Sequence, residues 1–344
     1  MTVARLNYIN IGLMLVAATA ALLLPFETFV LAYVVLGPLH YFTEIAWLKQ
    51  RQFFTTGKRD YWWLVGCCLA VFGWFLLNKL QPSLLARYPN SGLLTGLPAI
   101  TNQGYAAGIF AAFAGALAMV FSSNNIVKAA SVLLGGLVGF FLMAATNVYV
   151  LFGMLLPSLV HVFIFTGVFL VTGALRGSGK SGGLATLVFV ACGAGLLLVN
   201  GGTLGYPAND TLFSAWLVSD FYPLNNILLS WFDAGTHNFN DVFRSDAGLR
   251  VQRFIAFAYC YHYLNWFSKT GVIGWHMVSR PWLIGAGILW MATLALWWWN
   301  AVYGFAALFL LSMLHVFLEF PLNHKSFVQL GQLLAGNRNR TESA

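Results

Sequence analysis

The stretch AVYGFAALFLLSMLHVFLEF, residues 301–320, is apolar over almost its full length and decides the class of fold. A helix of about 20 apolar residues is long enough to cross the hydrocarbon core of a bilayer. Similar runs recur along the whole chain of 344 residues, of which 59% are hydrophobic and 8% charged. A soluble domain carries roughly 25% charged residues. The sequence therefore predicts an all-α, polytopic helical membrane protein.

Ten segments of this kind are expected to be transmembrane helices. They are Leu6–Leu24, Phe26–Leu48, Tyr61–Leu80, Gly104–Phe121, Val127–Ala145, Val148–Val171, Leu184–Val199, Val251–Phe267, Pro281–Trp299 and Ala301–Phe320. An eleventh segment, residues 211–232, carries Asp220 and two asparagines near its middle. Because lipid cannot satisfy those groups, we expect an interfacial or re-entrant segment there. Residues 1–325 are then a single transmembrane domain and residues 326–344 a short cytoplasmic tail.

The distribution of basic residues indicates the orientation of the chain. The formal net charge is +8, and under the ten-span topology 13 of the 18 Lys and Arg residues fall on the side that holds both termini. Short cytoplasmic loops of membrane proteins carry an excess of Lys and Arg. The sequence therefore predicts that both termini are cytoplasmic. Because the positive charge is explained by topology, we expect no nucleic-acid partner.

Four of the seven histidines lie inside predicted spans, namely His40, His161, His262 and His315. Their four helices run in the same direction, and each histidine precedes its helix end by about five to ten residues, or roughly 8–15 Å at 1.5 Å per residue. The four rings are therefore expected at one depth. An imidazole in hydrocarbon costs free energy unless its nitrogens are hydrogen-bonded or coordinated. We interpret the four as ligands of one metal ion; the alternative is separate pairing with hydroxyls and carbonyls.

Two glutamates accompany the histidines. Glu44 follows His40 by four residues, and Glu319 follows His315 by the same interval. This spacing places each carboxylate one helical turn from its histidine on the same face. A carboxylate in that position can accept the N–H of a histidine whose other nitrogen holds metal. We favour this role for both glutamates over direct ligation and over a simple histidine–glutamate pair.

The third histidine lies in the segment YCYHYLNWF, residues 259–267. Asn265 follows His262 by three residues and is expected to hydrogen-bond at the cofactor site. Tyr261 and Tyr263 flank His262, and we expect them to pack elsewhere because adjacent positions point away from each other on a helix.

The donor set restricts the metal without identifying it. Imidazole nitrogens suit zinc, copper, iron or nickel. Four neutral histidines could hold Fe(II) with positions open for dioxygen; they could equally hold copper, or haem irons through pairs of axial ligands. The doubled histidine motifs of membrane di-iron hydroxylases do not occur in this sequence, which argues against that class.

Four short windows resemble the histidine motifs of the bacterial Brp/Blh-type membrane β-carotene 15,15′-dioxygenases. They are GPLHYFTE, LVHVFIF, CYHYLNWF and LHVFLEF, around His40, His161, His262 and His315. The third window has Trp266 where the family tends to hold a second histidine. The resemblance implies one non-haem iron bound by the four histidines, oxidative cleavage of a carotenoid by dioxygen, and a place in the bacterial inner membrane.

Three functions are therefore compatible with the sequence. The first is an iron-dependent membrane oxygenase acting with dioxygen on a carotenoid or another lipid-soluble substrate. The second is a proton-coupled transporter, because intramembrane histidines and glutamates also form proton relays. The third is a haem-binding or copper-binding subunit of a membrane complex. Metal analysis and a visible spectrum distinguish these three classes.

Overall fold

The computed structural model describes residues 2–142, 149–200, 210–219, 221–232, 238–269 and 280–336. Within these ranges every regular element is a helix, which confirms the predicted all-α fold. Of the residues named above, Asp220 and two predicted span ends, Ala145 and Val148, lie outside the described ranges, as do the histidines His237 and His276.

Nine of the described helices are long and apolar enough to cross a membrane. They are α1 (Val3–Leu23), α2 (Pro25–Gln50), α3 (Tyr61–Arg87), α4 (Gly92–Phe121), α5 (Asn125–Leu142), α6 (Tyr149–Gly177), α7 (Gly179–Leu198), α12 (Arg280–Trp299) and α13 (Ala301–Leu334). The other described helices are α8 (Asp210–Val218), α9 (Tyr222–Ser230), α10 (Phe239–Arg244), α11 (Asp246–Ser268) and a short 3₁₀ helix, Gln52–Phe54. The chain is thus a polytopic helical protein.

Helix α11 corresponds to the eighth of the ten predicted spans, and it differs from the other nine in polarity. It is 23 residues long, but its first two turns contain Asp246, Arg250, Gln252 and Arg253. A helix with these side chains is less apolar than a lipid-exposed span, and most of α11 is accordingly buried in protein.

The segment expected to be interfacial or re-entrant contains α8 and α9. Each has nine residues, and at 1.5 Å per residue each is about 14 Å long. Neither helix could cross a bilayer of about 30 Å.

At the C-terminal end of the chain, α13 continues through the predicted boundary at residue 325 and ends at Leu334.

Two spans depart from regular α-helix close to their histidines. Residues Ala32–Leu36 of α2 form a π-helical turn directly before Gly37. In α6 the π-helical winding covers Tyr149–Phe165, and regular α-helix begins at Thr166. Each π turn shifts the direction in which following side chains point, and such turns occur frequently at functional sites.

The chain divides into two compact units, and α2, α6 and α13 contribute residues to both. The first unit comprises residues 1–43, 162–308 and 328–344, and the second comprises residues 44–161 and 309–327. His40 and His262 therefore belong to the first unit, whereas His161 and His315 belong to the second.

In the first unit, α1 packs on α7 and α11, and α11 also packs on α2. The break between α1 and α2 is held by two buried polar side chains of α11. The Arg253 guanidinium donates to the Leu22 carbonyl at 3.0 Å, and the Gln252 amide donates to the Pro25 carbonyl at 3.4 Å. Because the last carbonyls of a helix lack partners within it, the bond from Arg253 stabilises the end of α1, and the bond from Gln252 attaches the start of α2 to α11.

In the second unit, α4 packs between α3 and α5. Gly135 and Gly139 of α5 face α4 so closely that an added Cβ would lie 3.0 Å from side-chain carbons of Ala114 and Phe110. Small residues allow such close approach between membrane helices. A buried ion pair joins the start of α5 to the segment before α3, with Lys128 Nζ 2.7 Å from Asp60 Oδ2.

Candidate metal centre

The first unit contains the first histidine pair, His40 and His262. Their Nε2 atoms lie 3.2 Å apart, and their rings are nearly perpendicular with centroids 4.9 Å apart. Both side chains are buried. His40 follows the π turn of α2, and His262 lies in the second half of α11, among other buried residues. The two imidazoles thus face each other through the same kind of nitrogen.

A threonine fixes the orientation of one ring. Thr166 Oγ1 lies 2.9 Å from His262 Nδ1, on the side of the ring away from the bond to His40. When the Thr166 oxygen accepts the Nδ1 proton, the lone pair of His262 is on Nε2, toward His40. Thr166 was not singled out from the sequence, because no local spacing relates it to a histidine on another helix.

Aromatic side chains enclose the His40 ring. The rings of Tyr41, Tyr263, Trp266 and Phe267 have centroids 5.0–6.5 Å from that of His40. The Trp266 indole also donates to Thr43 Oγ1 at 3.0 Å. Tyr263 differs from the expectation that it packs elsewhere, since its ring contacts His40 from the neighbouring helix. A wall of this kind excludes water and restricts the rotation of the imidazole.

The second unit contains the second histidine pair, His161 of α6 and His315 of α13. Their Nε2 atoms lie 3.1 Å apart, and the ring centroids are 5.0 Å apart at 76°. Both side chains are buried. The arrangement repeats that of the first histidine pair, with two imidazoles meeting through Nε2 at nearly perpendicular planes.

Glu319 lies beside a histidine of another helix, His161, rather than beside the histidine of its own helix. Its Oε2 atom lies 3.2 Å from Nδ1 of His161, whereas the sequence spacing associates it with His315. Both partners are buried. A carboxylate in this position can accept the Nδ1 proton, which leaves the lone pair on Nε2 for a metal ion. Glu44, the other predicted carboxylate, is also buried, in the part of α2 that belongs to the second unit.

The distances within both pairs fit a cation bound by two adjacent imidazoles. Two nitrogens that bind the same ion at about 2.1 Å in adjacent coordination positions lie about 3–3.4 Å apart. The observed separations of 3.2 and 3.1 Å fall in that interval. Axial ligands on opposite faces of a haem iron would be about 4 Å apart, with the macrocycle between them. Each pair therefore fits adjacent coordination better than axial ligation.

The remaining predicted and loop residues have other surroundings. Asn265 is buried, and its Oδ1 atom makes no hydrogen bond within the described part of the chain. His324, a histidine outside the predicted spans, lies within α13, and its Nε2 donates to the Phe113 carbonyl at 2.8 Å. That bond fastens α13 to α4 and gives His324 a structural role.

No family model, curated protein or solved structure matches this chain. The class of the protein is defined by its fold and its buried side chains. It is a polytopic helical membrane protein with two buried pairs of histidines.

Proposed function

We propose that the protein is a membrane-embedded non-haem iron oxygenase that acts with dioxygen on a carotenoid or another lipid-soluble substrate. In this proposal His40, His161, His262 and His315 bind one Fe(II), as the four-histidine interpretation of the sequence requires. Copper is the main alternative metal. The observation that carries the proposal is the meeting of buried Nε2 atoms at 3.1–3.2 Å in each pair.

The orientation of two rings supports metal ligation over a purely structural role. His262 and His161 each have Nδ1 next to an oxygen atom, supplied by Thr166 and Glu319 respectively. Metal-ligating histidines almost always donate their second ring N–H to such an acceptor, which fixes the tautomer. A hydrogen bond between two neutral imidazoles would also hold the rings at 3.1–3.2 Å, and metal analysis distinguishes this alternative from ligation.

Each group of this chain then has a defined task. The four imidazoles bind the ion, Thr166 and Glu319 orient two of them, and the aromatic wall around His40 excludes water. Iron, when bound, would supply the activation of dioxygen. Four neutral ligands occupy fewer positions than an octahedral iron offers, so the reactants can reach the ion.

The class of substrate rests on the resemblance and on the apolar surroundings. A lipid-soluble molecule can reach a site at this depth from the bilayer, so that no large soluble domain is required. The resemblance to the carotenoid-cleaving family favours a conjugated hydrocarbon chain. We further propose the bacterial inner membrane as the location, with both termini in the cytoplasm, because the basic residues concentrate on that side.

Elemental analysis of the purified protein, together with a visible spectrum, tests the proposal. We expect about one iron per chain and no haem absorption band. Replacing any one of the four histidines with alanine is expected to abolish iron binding. His324→Ala is the matched control, because it removes a buried imidazole from α13 that belongs to neither pair.

The other outcomes have distinct meanings. Two irons per chain would indicate that each histidine pair binds its own ion. A haem band or stoichiometric copper would identify a haem or copper protein. A protein that binds no metal in any preparation would contradict the proposal and favour the proton-coupled transporter.

A further inference from the structure

Two tyrosines form a hydroxyl pair beside the first histidine pair. The Oη atoms of Tyr41 and Tyr263 lie 2.7 Å apart, and both side chains are fully buried. The Tyr263 ring contacts both imidazoles, with centroids 5.0 Å from His40 and 5.5 Å from His262. The ring that carries one of the two hydroxyls therefore lies beside two candidate ligands.

Gly37 determines where the hydroxyls lie. A Cβ at Gly37 would be 2.9 Å from Tyr41 Oη and 3.4 Å from Tyr263 Oη, so the hydroxyl pair occupies the space that the missing side chain leaves. Gly37 precedes His40 by three residues, or about 4.5 Å along the helix axis. Because helical side chains lean toward the N-terminus, the His40 ring leans toward the level of these hydroxyls.

Only one of the two hydroxyl protons is used within the tyrosine pair, so the other proton can be donated to a third atom. Each phenol carries one proton, and only one proton can lie between the two oxygens. When Tyr41 donates to Tyr263, the Tyr263 proton is available to a third atom. A hydroxyl that accepts one hydrogen bond becomes a stronger donor in the next. In that arrangement Tyr263 is a polarised donor on the ring that contacts His40 and His262.

We propose that Tyr263, polarised by Tyr41, donates a hydrogen bond to an oxygen atom of the reactant at the first histidine pair. This inference rests on the proposed function, because it assumes a metal ion there. The hydroxyl orients the reactant and stabilises negative charge as it develops on that oxygen. Preorganised donors of this kind act most strongly in buried sites from which water is excluded.

Nitric oxide is a suitable probe, because it binds Fe(II) in place of dioxygen and its N–O stretching frequency reports hydrogen bonding to its oxygen. The experiment compares infrared spectra of the iron-loaded, full-length wild type with those of Tyr263→Phe and Tyr41→Phe. A donated hydrogen bond weakens the N–O bond. We therefore expect Tyr263→Phe to shift the band to higher frequency, and Tyr41→Phe to shift it less in the same direction.

Tyr261→Phe is the matched control. Tyr261 lies two residues from Tyr263 on the same helix, and its buried hydroxyl donates to Asn10 Oδ1 at 3.3 Å. Removing this hydroxyl should leave the N–O frequency unchanged. Transfer of the wild-type protein into D₂O gives a second measurement that needs no substitution. We expect a small isotope shift of the N–O band in the wild type and its loss in Tyr263→Phe.

Three results would overturn the inference. In the first, Tyr263→Phe retains iron and shows the wild-type frequency. In the second, Tyr261→Phe shifts the band as far as Tyr263→Phe does. In the third, the wild-type band does not respond to D₂O. If wild-type protein binds no iron, the proposed function fails first, and the metal content separates that failure from the other three.

Discussion

Replacing Thr166 with valine should weaken metal binding without unfolding the protein. Valine has nearly the shape of threonine, so the substitution removes only the hydroxyl that lies 2.9 Å from His262 Nδ1. Thr166 is 2% exposed, so water cannot take the place of that hydroxyl. His262 is then left with a buried N–H that lacks its acceptor, or it adopts the tautomer whose Nε2 is protonated and cannot bind metal.

The expected size of the effect follows from these two possibilities. A buried donor without its partner costs about 1–3 kcal/mol. Loss of the group that orients a metal-binding histidine reduces metal affinity by about 10–100-fold. At about 1.4 kcal/mol per factor of ten, this range corresponds to about 1.4–2.8 kcal/mol, which agrees with the cost of the buried N–H. We therefore expect Thr166→Val to bind iron about 10–100-fold more weakly than the wild type.

The assay is competition with a chelator on purified protein in detergent, and thermal unfolding is recorded for each variant. Thr172→Val is the matched control, since Thr172 lies six residues further along the same helix and is 6% exposed. Its Oγ1 atom makes no hydrogen bond within the described residues, so its loss should not reduce affinity. The reasoning is refuted if folded Thr166→Val binds iron like the wild type, or if Thr172→Val loses as much affinity.

Four other substitutions test separate parts of the fold and site. Glu319→Gln should weaken iron binding by about 10–100-fold, because an amide is a poorer acceptor for the His161 N–H. We expect Glu44→Gln to weaken it within the same range of about 10–100-fold. Chelator competition measures the iron affinity of both variants. Lys128→Met should lower the free energy of unfolding by about 3–5 kcal/mol, because it leaves the Asp60 carboxylate buried without its partner. Denaturant unfolding checks this value, and restoration of stability on adding Asp60→Asn would support the explanation. Gly248→Ala should destabilise the protein by about 1–3 kcal/mol, because its methyl group would overlap a backbone carbonyl oxygen of α10; a lowered midpoint in thermal unfolding is the expected result.

Long apolar runs were sufficient to predict the class of fold. The hydrophobic length of a helix is a local property, and a bilayer demands it regardless of how helices pack. The exception was α11, whose first turns are too polar for a lipid-exposed helix. There the surrounding helices, which cannot be identified from a local window, provide the apolar environment. Counting the predicted spans therefore gave ten, whereas nine described helices meet the criteria of length and hydropathy.

The partners of the histidines illustrate what local spacing leaves open. An interval of four residues places Glu319 and His315 on one face of α13, and the sequence therefore associates them. In the structure Glu319 contacts His161 of α6, because the rotation of α13 about its axis directs the carboxylate toward another helix. Helical periodicity fixes which residues share a face but does not fix what that face contacts.

The sequence by itself determined that this is a helical membrane protein and that imidazoles and carboxylates lie within its spans, because both follow from composition and from the length of each run. Only the tertiary structure decided that His40 meets His262 and that His161 meets His315. It alone also brought Thr166 to His262 and joined the hydroxyls of Tyr41 and Tyr263. These contacts link residues more than 90 positions apart, and packing between helices, which no single segment encodes, brings them together.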